Sequence, residues 1–165
     1  MTSPRIYHLT WDEFHRDARA LAQRLLASEK PWKGIIGIAR GGLIPAAIIA
    51  RELNIRLVDT LCIASYNHDK QGDVQILKTV AGTVGDGKDF LLIDDLVDTG
   101  ATASFARQLL PNATMAAVYA KPAGMPSTRY WQREFSQDTW IHFPWDCEHQ
   151  DDTYGYAEPL HKQNK

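Results

Sequence analysis

Cysteine is scarce in this chain: Cys62 and Cys147 are the two present among 165 residues. They lie far apart and form no Cys-x-x-Cys pair. A disulfide scaffold or a zinc site of ordinary spacing is therefore excluded, and a reducing compartment is the expectation. A surplus of charge is also lacking. Lys and Arg number 18 against 20 Asp and Glu, a net charge of −2, and no long basic run occurs. A nucleic-acid footprint is a concentrated basic face, so nucleic acid is not expected as the main partner. No apolar run approaches the ~18 residues that a membrane-crossing helix needs. The segment MTSPRIYHLTWDEF has no apolar export core, and no export signal is expected. Internal repeats and low-complexity tracts are missing, and the six histidines show no paired ligand spacing.

What is present is globular. The chain is 44% hydrophobic and 23% charged, which supports a real core, and its length suits one domain over residues 1–165. Residues from Thr10 to about Ser28 read as a helix. Phe14, Ala18, Leu21, Ala22, Leu25 and Leu26 recur at helical spacing, and Thr10 with Glu13 makes a capping box. GIIGIA (Gly34–Ala39) is a short continuous apolar run, the pattern of a strand buried on both faces. LIPAAIIAREL follows as a helix, with Pro45 tolerable only in its first turn. RLVDTLCIASY (Arg56–Tyr66) reads as a strand, with Cys62 a buried member of it. Residues 67–88 are polar and Gly-rich at both ends, as a lid or binding loop would be, and the inner VQILKTV could form a β-ribbon. DFLLIDD is the next buried strand, TGATASFARQLL the next helix, and MAAVYAKP (Met115–Pro122) a further strand. Strands alternating with helices predict an α/β fold, a parallel twisted sheet flanked by helices. Residues 123–146 are mixed and rich in Trp and Pro. The polar tail from Cys147 is expected to be partly disordered, and Cys147, His149 and Asp151 within it match no metal-site spacing.

The informative stretch is FLLIDDLVDTGATA, from Phe90 to Ala103. It runs a buried strand into three carboxylates, Asp94, Asp95 and Asp98. Unpaired buried carboxylates are costly, so this spot must serve a ligand. Parallel sheets bind ligands at the carboxyl ends of their strands, where Asp94 and Asp95 are expected. The turn Asp98-Thr99-Gly100-Ala101-Thr102 opens a helix, whose free amides and partial positive charge suit a phosphate. Thr99 and Thr102 add hydroxyls. Carboxylates beside a phosphate cradle suit a sugar phosphate, since they accept hydrogen bonds from vicinal hydroxyls and can hold Mg2+. A charged N-cap cluster would explain Asp98 alone, but neither Asp94 nor Asp95.

LLIDDLVDTGATA resembles the phosphoribosyl-diphosphate (PRPP) motif of the type I phosphoribosyltransferases. IARGGLIPAAIIARELNIRLVDT, YAKPAG and QDTWIHFPWD extend the resemblance over roughly Trp11 to Asp146, toward the xanthine–guanine members of the purine branch. The resemblance implies the type I fold with a small hood and a flexible lid. It implies transfer of ribose 5-phosphate from PRPP to nitrogen 9 of guanine, xanthine or hypoxanthine, with Mg2+ and release of pyrophosphate. It places Asp94 and Asp95 on the ribose hydroxyls, with Asp95 nearer the metal. Asp98 manages the proton at purine nitrogen 7, and the amides of Asp98, Thr99, Gly100, Ala101 and Thr102 hold the 5-phosphate. Arg40 and Gly41 grip the pyrophosphate, with a non-proline cis peptide expected at Ala39–Arg40. Lys121 meets the purine 6-oxo group, Trp140 stacks on the base, and the Ile141 backbone reads the 2-substituent. Asp146 is a lesser candidate for the 2-amino side.

Taken alone, Arg40 could be a surface Arg after a strand, Lys121 a solvated charge and Trp140 a core residue. The nineteen-residue spacing from Lys121 to Trp140 and the TWIHFPWD context favour the site roles. One departure stands out. Gly72 occupies the position of a lid Arg that reaches a substrate phosphate, leaving Lys70 or Lys78 as substitutes without the planar fork of Arg. The resemblance further implies a homotetramer in the cytoplasm, with at most peripheral contact at the inner membrane surface, although no amphipathic anchor is visible. Two other readings stay open: a hypoxanthine-preferring enzyme, and a nucleotide-sensing regulator with no main catalytic role.

Overall fold

The computed structural model describes residues 5–65 and 74–146. Helix α1 (Trp11–Ala27) starts where the capping box predicts. The Thr10 hydroxyl accepts from the Glu13 amide at 3.2 Å, and the Thr10 amide donates back to the Glu13 carboxylate at 3.1 Å. Its buried face carries Phe14, Ala18, Leu21, Ala22 and Leu25. Leu26, expected on that face, lies at its margin and is 56% exposed. Helix α2 (Leu43–Glu52) holds Pro45 in its first turn, where no intrahelical amide bond is lost.

The main sheet contains β2 (Gly34–Ala39), β3 (Val58–Ser65), β4 (Val74–Lys78), β5 (Phe90–Val97), β6 (Thr114–Ala120) and β7 (Tyr130–Glu134) in the order β4-β3-β2-β5-β6-β7. All neighbours pair in parallel except β4, which runs antiparallel to β3. Strands β1 (Arg5–His8) and β8 (Thr139–His142) form a separate parallel pair. Three strands escape the sequence reading: β1, β7 and β8 lack a sustained apolar run and are made by distant pairing.

Two cores lie on opposite faces of the sheet. Along β5 the split follows the two-residue period of a strand: Leu91 and Ile93 face α1 and α2, whereas Phe90 and Leu92 face helix α3 (Ala101–Leu109). This is why a run of unbroken apolar residues was needed there. On the first face a buried polar network ties α1 to the sheet. The Tyr119 hydroxyl donates to Asp17 at 3.0 Å, Arg133 donates to the Tyr7 hydroxyl at 3.0 Å, and Tyr7 donates to Glu13 at 2.6 Å.

Strand β5 is longer than DFLLIDD suggests. Leu96 and Val97 still pair with Tyr119 and Ala120 of β6, so Asp94 and Asp95 sit inside the last half of the strand rather than at its end. Helix α3 begins at Ala101, not Thr99, because Gly100 adopts φ 84° and turns the chain before the helix can start. Residues 74–78 of the expected lid belong to the sheet as β4, and Val84 in the following turn is buried. Cys62 is half-buried in β3 rather than fully enclosed. Lys70, Gly72, the remainder of the expected lid at 67–73 and the tail 147–165 lie outside the described residues.

Candidate active site at the end of strand β5

Asp94 is buried and Asp95 half-buried. Burial pushes the Asp94 carboxyl well above the usual carboxylate range, and the neighbouring Asp95 charge adds to the effect. Burial raises Asp95 as well, with the charge of Asp146 contributing. Both carboxylates also accept from the chain just ahead of them. The Asp95 amide donates to Asp94 at 2.9 Å, and the Leu96 amide to Asp95 at 2.7 Å. Two adjacent carboxylates in the dry last half of a strand form a place that favours a cation or several hydroxyl donors.

Immediately beyond, Asp94 and residues 96–103 line a small cavity of about 100 Å3. It is the mouth of α3, lined by the first residues of that helix. Gly100 is essential to its shape. A Cβ there would meet the Ser127 Oγ at 2.6 Å, and the left-handed φ already disfavours any side chain. Thr99 and Ala101 are exposed, Thr102 is half-buried, and the Thr99 hydroxyl accepts from the Ala101 amide at 3.4 Å.

A second cavity of about 400 Å3 opens beside Asp95, lined by Arg40, Gly41, Leu43, Trp145 and Asp146 among others. The Ala39–Arg40 peptide is cis, where it was expected. Gly41 packs so closely on Asp95 that a Cβ would stand 2.6 Å from its Oδ1. The Asp146 carboxylate is held in place by the Phe143 amide at 2.9 Å. Trp145 stacks on Phe143, with ring centroids 4.8 Å apart.

Lys121 follows β6 directly and is buried. Its ammonium donates to Asp98 Oδ2 at 2.9 Å, and its own amide donates to the Val97 carbonyl at 3.0 Å. The cation is thus no solvated surface charge. Gln137 completes the cluster: its side-chain NH2 donates to Asp98 Oδ1 at 2.8 Å, and its carbonyl accepts from the Ala123 amide at 2.9 Å. In the small β1–β8 pair, Trp140 is 60% exposed, which removes it from the core, while Ile141 is buried.

The structure therefore gathers Asp94, Asp95, Asp98 and the turn 99–102 at one sheet edge, with Gly41 against Asp95, Arg40 lining the cavity beside it, and Lys121 against Asp98. Lys78 stands apart. Its ammonium is engaged by Asp59 at 3.0 Å and by the Thr60 and Thr79 carbonyls at 2.7 and 3.1 Å. Gln137 and Trp145 were missed by sequence reasoning. Both fall in QDTWIHFPWD, but a polar loop residue and an aromatic carry no spacing rule of their own.

Comparison with known proteins finds relatives over most of the chain. The phosphoribosyl transferase domain model matches residues 9–152. A protein of Desulfotalea psychrophila described as a xanthine-guanine phosphoribosyltransferase is 55% identical over 157 residues, covering 94% of this chain and 92% of its own length. The crystal structure of a purine phosphoribosyltransferase from Pyrococcus horikoshii superposes with a TM-score of 0.74 at 28% identity, over 87% of this chain and 95% of that one. A xanthine-guanine-hypoxanthine phosphoribosyltransferase from Helicobacter pylori shares the fold with a TM-score of 0.68 at 19% identity, over 86% of this chain and 94% of that one. A domain match spanning most of the chain, and identity of this extent to a full-length relative, place it: the chain belongs to the phosphoribosyl transferase domain family.

Proposed function

We propose that this chain, acting as one unit over residues 1–165, is a purine salvage enzyme. It transfers the 5-phosphoribosyl group of PRPP to guanine, xanthine or hypoxanthine and yields GMP, XMP or IMP with pyrophosphate. The observation that carries the reading is the position of Asp98. Its carboxylate stands between a helix-mouth cradle and the buried ammonium of Lys121, in a chain 55% identical to a xanthine-guanine phosphoribosyltransferase.

In this reading the amides of Asp98 to Thr102 bind the 5-phosphate, and Asp94 and Asp95 accept from the ribose hydroxyls. Arg40 and the Gly41 amide take the pyrophosphate. The bond from the anomeric carbon to the pyrophosphate oxygen breaks, and a bond to purine nitrogen 9 forms. The proton displaced from the purine leaves from nitrogen 7 to Asp98, a general-base role. Lys121 donates to the 6-oxo group and disfavours an amino group there. Trp140 stacks on the ring, and the Ile141 backbone faces the 2-substituent. These groups orient the two substrates and exclude water, which lowers the barrier by prepaying alignment.

The donor set suits Mg2+. Asp94 and Asp95 set two carboxylates side by side, both with pKa values raised by burial, and the described residues hold no group of three or more ligands that could cage a metal alone. Mg2+ is commonly held by one or two carboxylates with substrate oxygens and waters. Asp95 would hold it here, and the ion would supply charge neutralisation for the departing pyrophosphate. A homotetramer in the cytoplasm completes the reading. Among the described residues no helix is long and apolar enough to cross a membrane.

One assay tests the reading: PRPP and Mg2+ with each of guanine, xanthine, hypoxanthine, adenine and uracil. Turnover with guanine and xanthine supports it. Turnover confined to hypoxanthine would indicate the hypoxanthine-preferring enzyme, and nucleotide binding without turnover of any base would indicate a regulator.

A further inference from the structure

Asp98 is contacted from two sides by donors that come from different parts of the chain. Lys121 grips Oδ2 at 2.9 Å and Gln137 grips Oδ1 at 2.8 Å. The Gln137 amide has one usable orientation. Its carbonyl oxygen accepts the Ala123 N–H at 2.9 Å, so its NH2 must point at the carboxylate. A flipped amide would set two donors against each other and two acceptors against each other. The side chain therefore spans two fixed points, the backbone turn just after Lys121 and the Asp98 carboxylate.

We propose that Gln137 is a positioning residue for Asp98, fixing the plane of its carboxylate so that one oxygen stays directed at the purine proton while Lys121 holds the other. The proposal rests on the reading above in which Asp98 receives that proton. A carboxylate with one donor can swing about its last side-chain bond, whereas two donors on opposite oxygens hold it in one plane. Gln137 does not deplete the acceptor it holds, because each carboxylate oxygen has two lone pairs and Oδ1 can accept a second N–H. Loss of a reacting group's alignment lowers turnover more than it lowers substrate binding.

Two variants test this. Gln137→Glu is nearly isosteric and keeps an acceptor for the Ala123 amide, but when ionised it replaces the donor with a like charge against Asp98, an effect that the uncharged Gln137→Ala does not share. Gln137→Ala loses both bonds. Both should lower kcat with guanine by roughly tenfold while the KM for PRPP stays within about twofold, since a charge-assisted hydrogen bond at a partly exposed site has about that effect. In an Asp98→Asn background, Gln137→Glu should have no further effect on the residual kcat, because Gln137 acts only through Asp98. Wild-type kcat in Gln137→Glu would overturn the proposal and leave Gln137 as a support for the Ala123 turn. An equal, additive loss in the Asp98→Asn background would also overturn it. If Asp98→Asn itself retains full turnover, the proton role falls and this inference with it. If Asp98→Asn is impaired and Gln137→Glu is not, the inference alone fails.

Discussion

The Lys121 ammonium lies 2.9 Å from Asp98 Oδ2, yet its side chain is 5% exposed against 47% for Asp98. The cation is anchored in the fold, and the anion reaches out from it into solvent. A ligand that reaches Asp98 from solvent thus meets a carboxylate backed by a dry positive charge.

Replacing Asp98 by Asn keeps its size and removes its capacity to take a proton. Turnover should fall by roughly 10²–10⁴, the usual scale of general acid–base catalysis, with the fold retained although the buried Lys121 ammonium loses its counter-charge. Steady-state kinetics with guanine checks this, and near-normal turnover would remove Asp98 from the chemistry.

Lys121→Ala should raise the KM for guanine and xanthine by roughly 10- to 100-fold, the scale of a charge-assisted hydrogen bond, and should narrow discrimination against adenine. A variant that keeps its affinity for oxopurines would show that the ammonium serves Asp98 only.

Asp94 offers a trade between stability and activity. Burial and the Asp95 charge raise its folded-state pKa. For an acid so shifted, the folded protein holds a proton that the unfolded chain releases. Stability of the metal- and substrate-free protein should therefore fall as pH rises above the ordinary carboxylate value. Asp94→Asn should raise the melting temperature at neutral pH in EDTA while lowering PRPP turnover. A lower melting temperature in the variant would mean that the charge is compensated within the fold.

Glu13 carries the opposite sign. The Tyr7 hydroxyl, and then the Thr10 amide, hold its pKa down to about 2. Its contribution is present above the unfolded value of ~4.3 and is lost as pH falls toward 2. Acid unfolding of Glu13→Gln should therefore show a smaller stability deficit at pH 2.5 than at pH 6, about 1 kcal/mol or less at the upper end as for a helix cap. An unchanging deficit across that range would contradict the ionised cap.

Gly41→Ala tests the close approach to Asp95. The added methyl would collide with the carboxylate, whereas a Cβ at Gly82 meets nothing within 4 Å. Gly41→Ala should weaken PRPP binding and turnover, and Gly82→Ala should do neither. Equal behaviour of the two would mean that the Arg40 loop moves freely.

Where burial writes itself into local pattern, the chain was legible. The capping box located α1 to within a residue, and the doubly buried β2 and β5 showed as unbroken apolar runs. The carboxylates of β5 and the helix-mouth turn were visible because their chemistry conflicts with a core. Other features depend on meetings across the chain. Strands β1 and β8 are too short to show a period, and Gln137 is an ordinary polar residue until the fold brings it to Asp98. The Asp59–Lys78 contact drew a lysine expected for the lid into the sheet edge, and no spacing rule announces it.

The pairing of β1 with β8, Arg5 opposite Thr139, joins opposite ends of the described chain. During synthesis the first of these strands emerges long before its partner. Most of the main sheet can condense meanwhile, because its parallel neighbours are joined by shorter spans of chain. The ledge that carries Trp140 is therefore late to close, because loops of that length close slowly. A nascent chain stalled before Thr139 should hold most of the main sheet but not the β1–β8 pair.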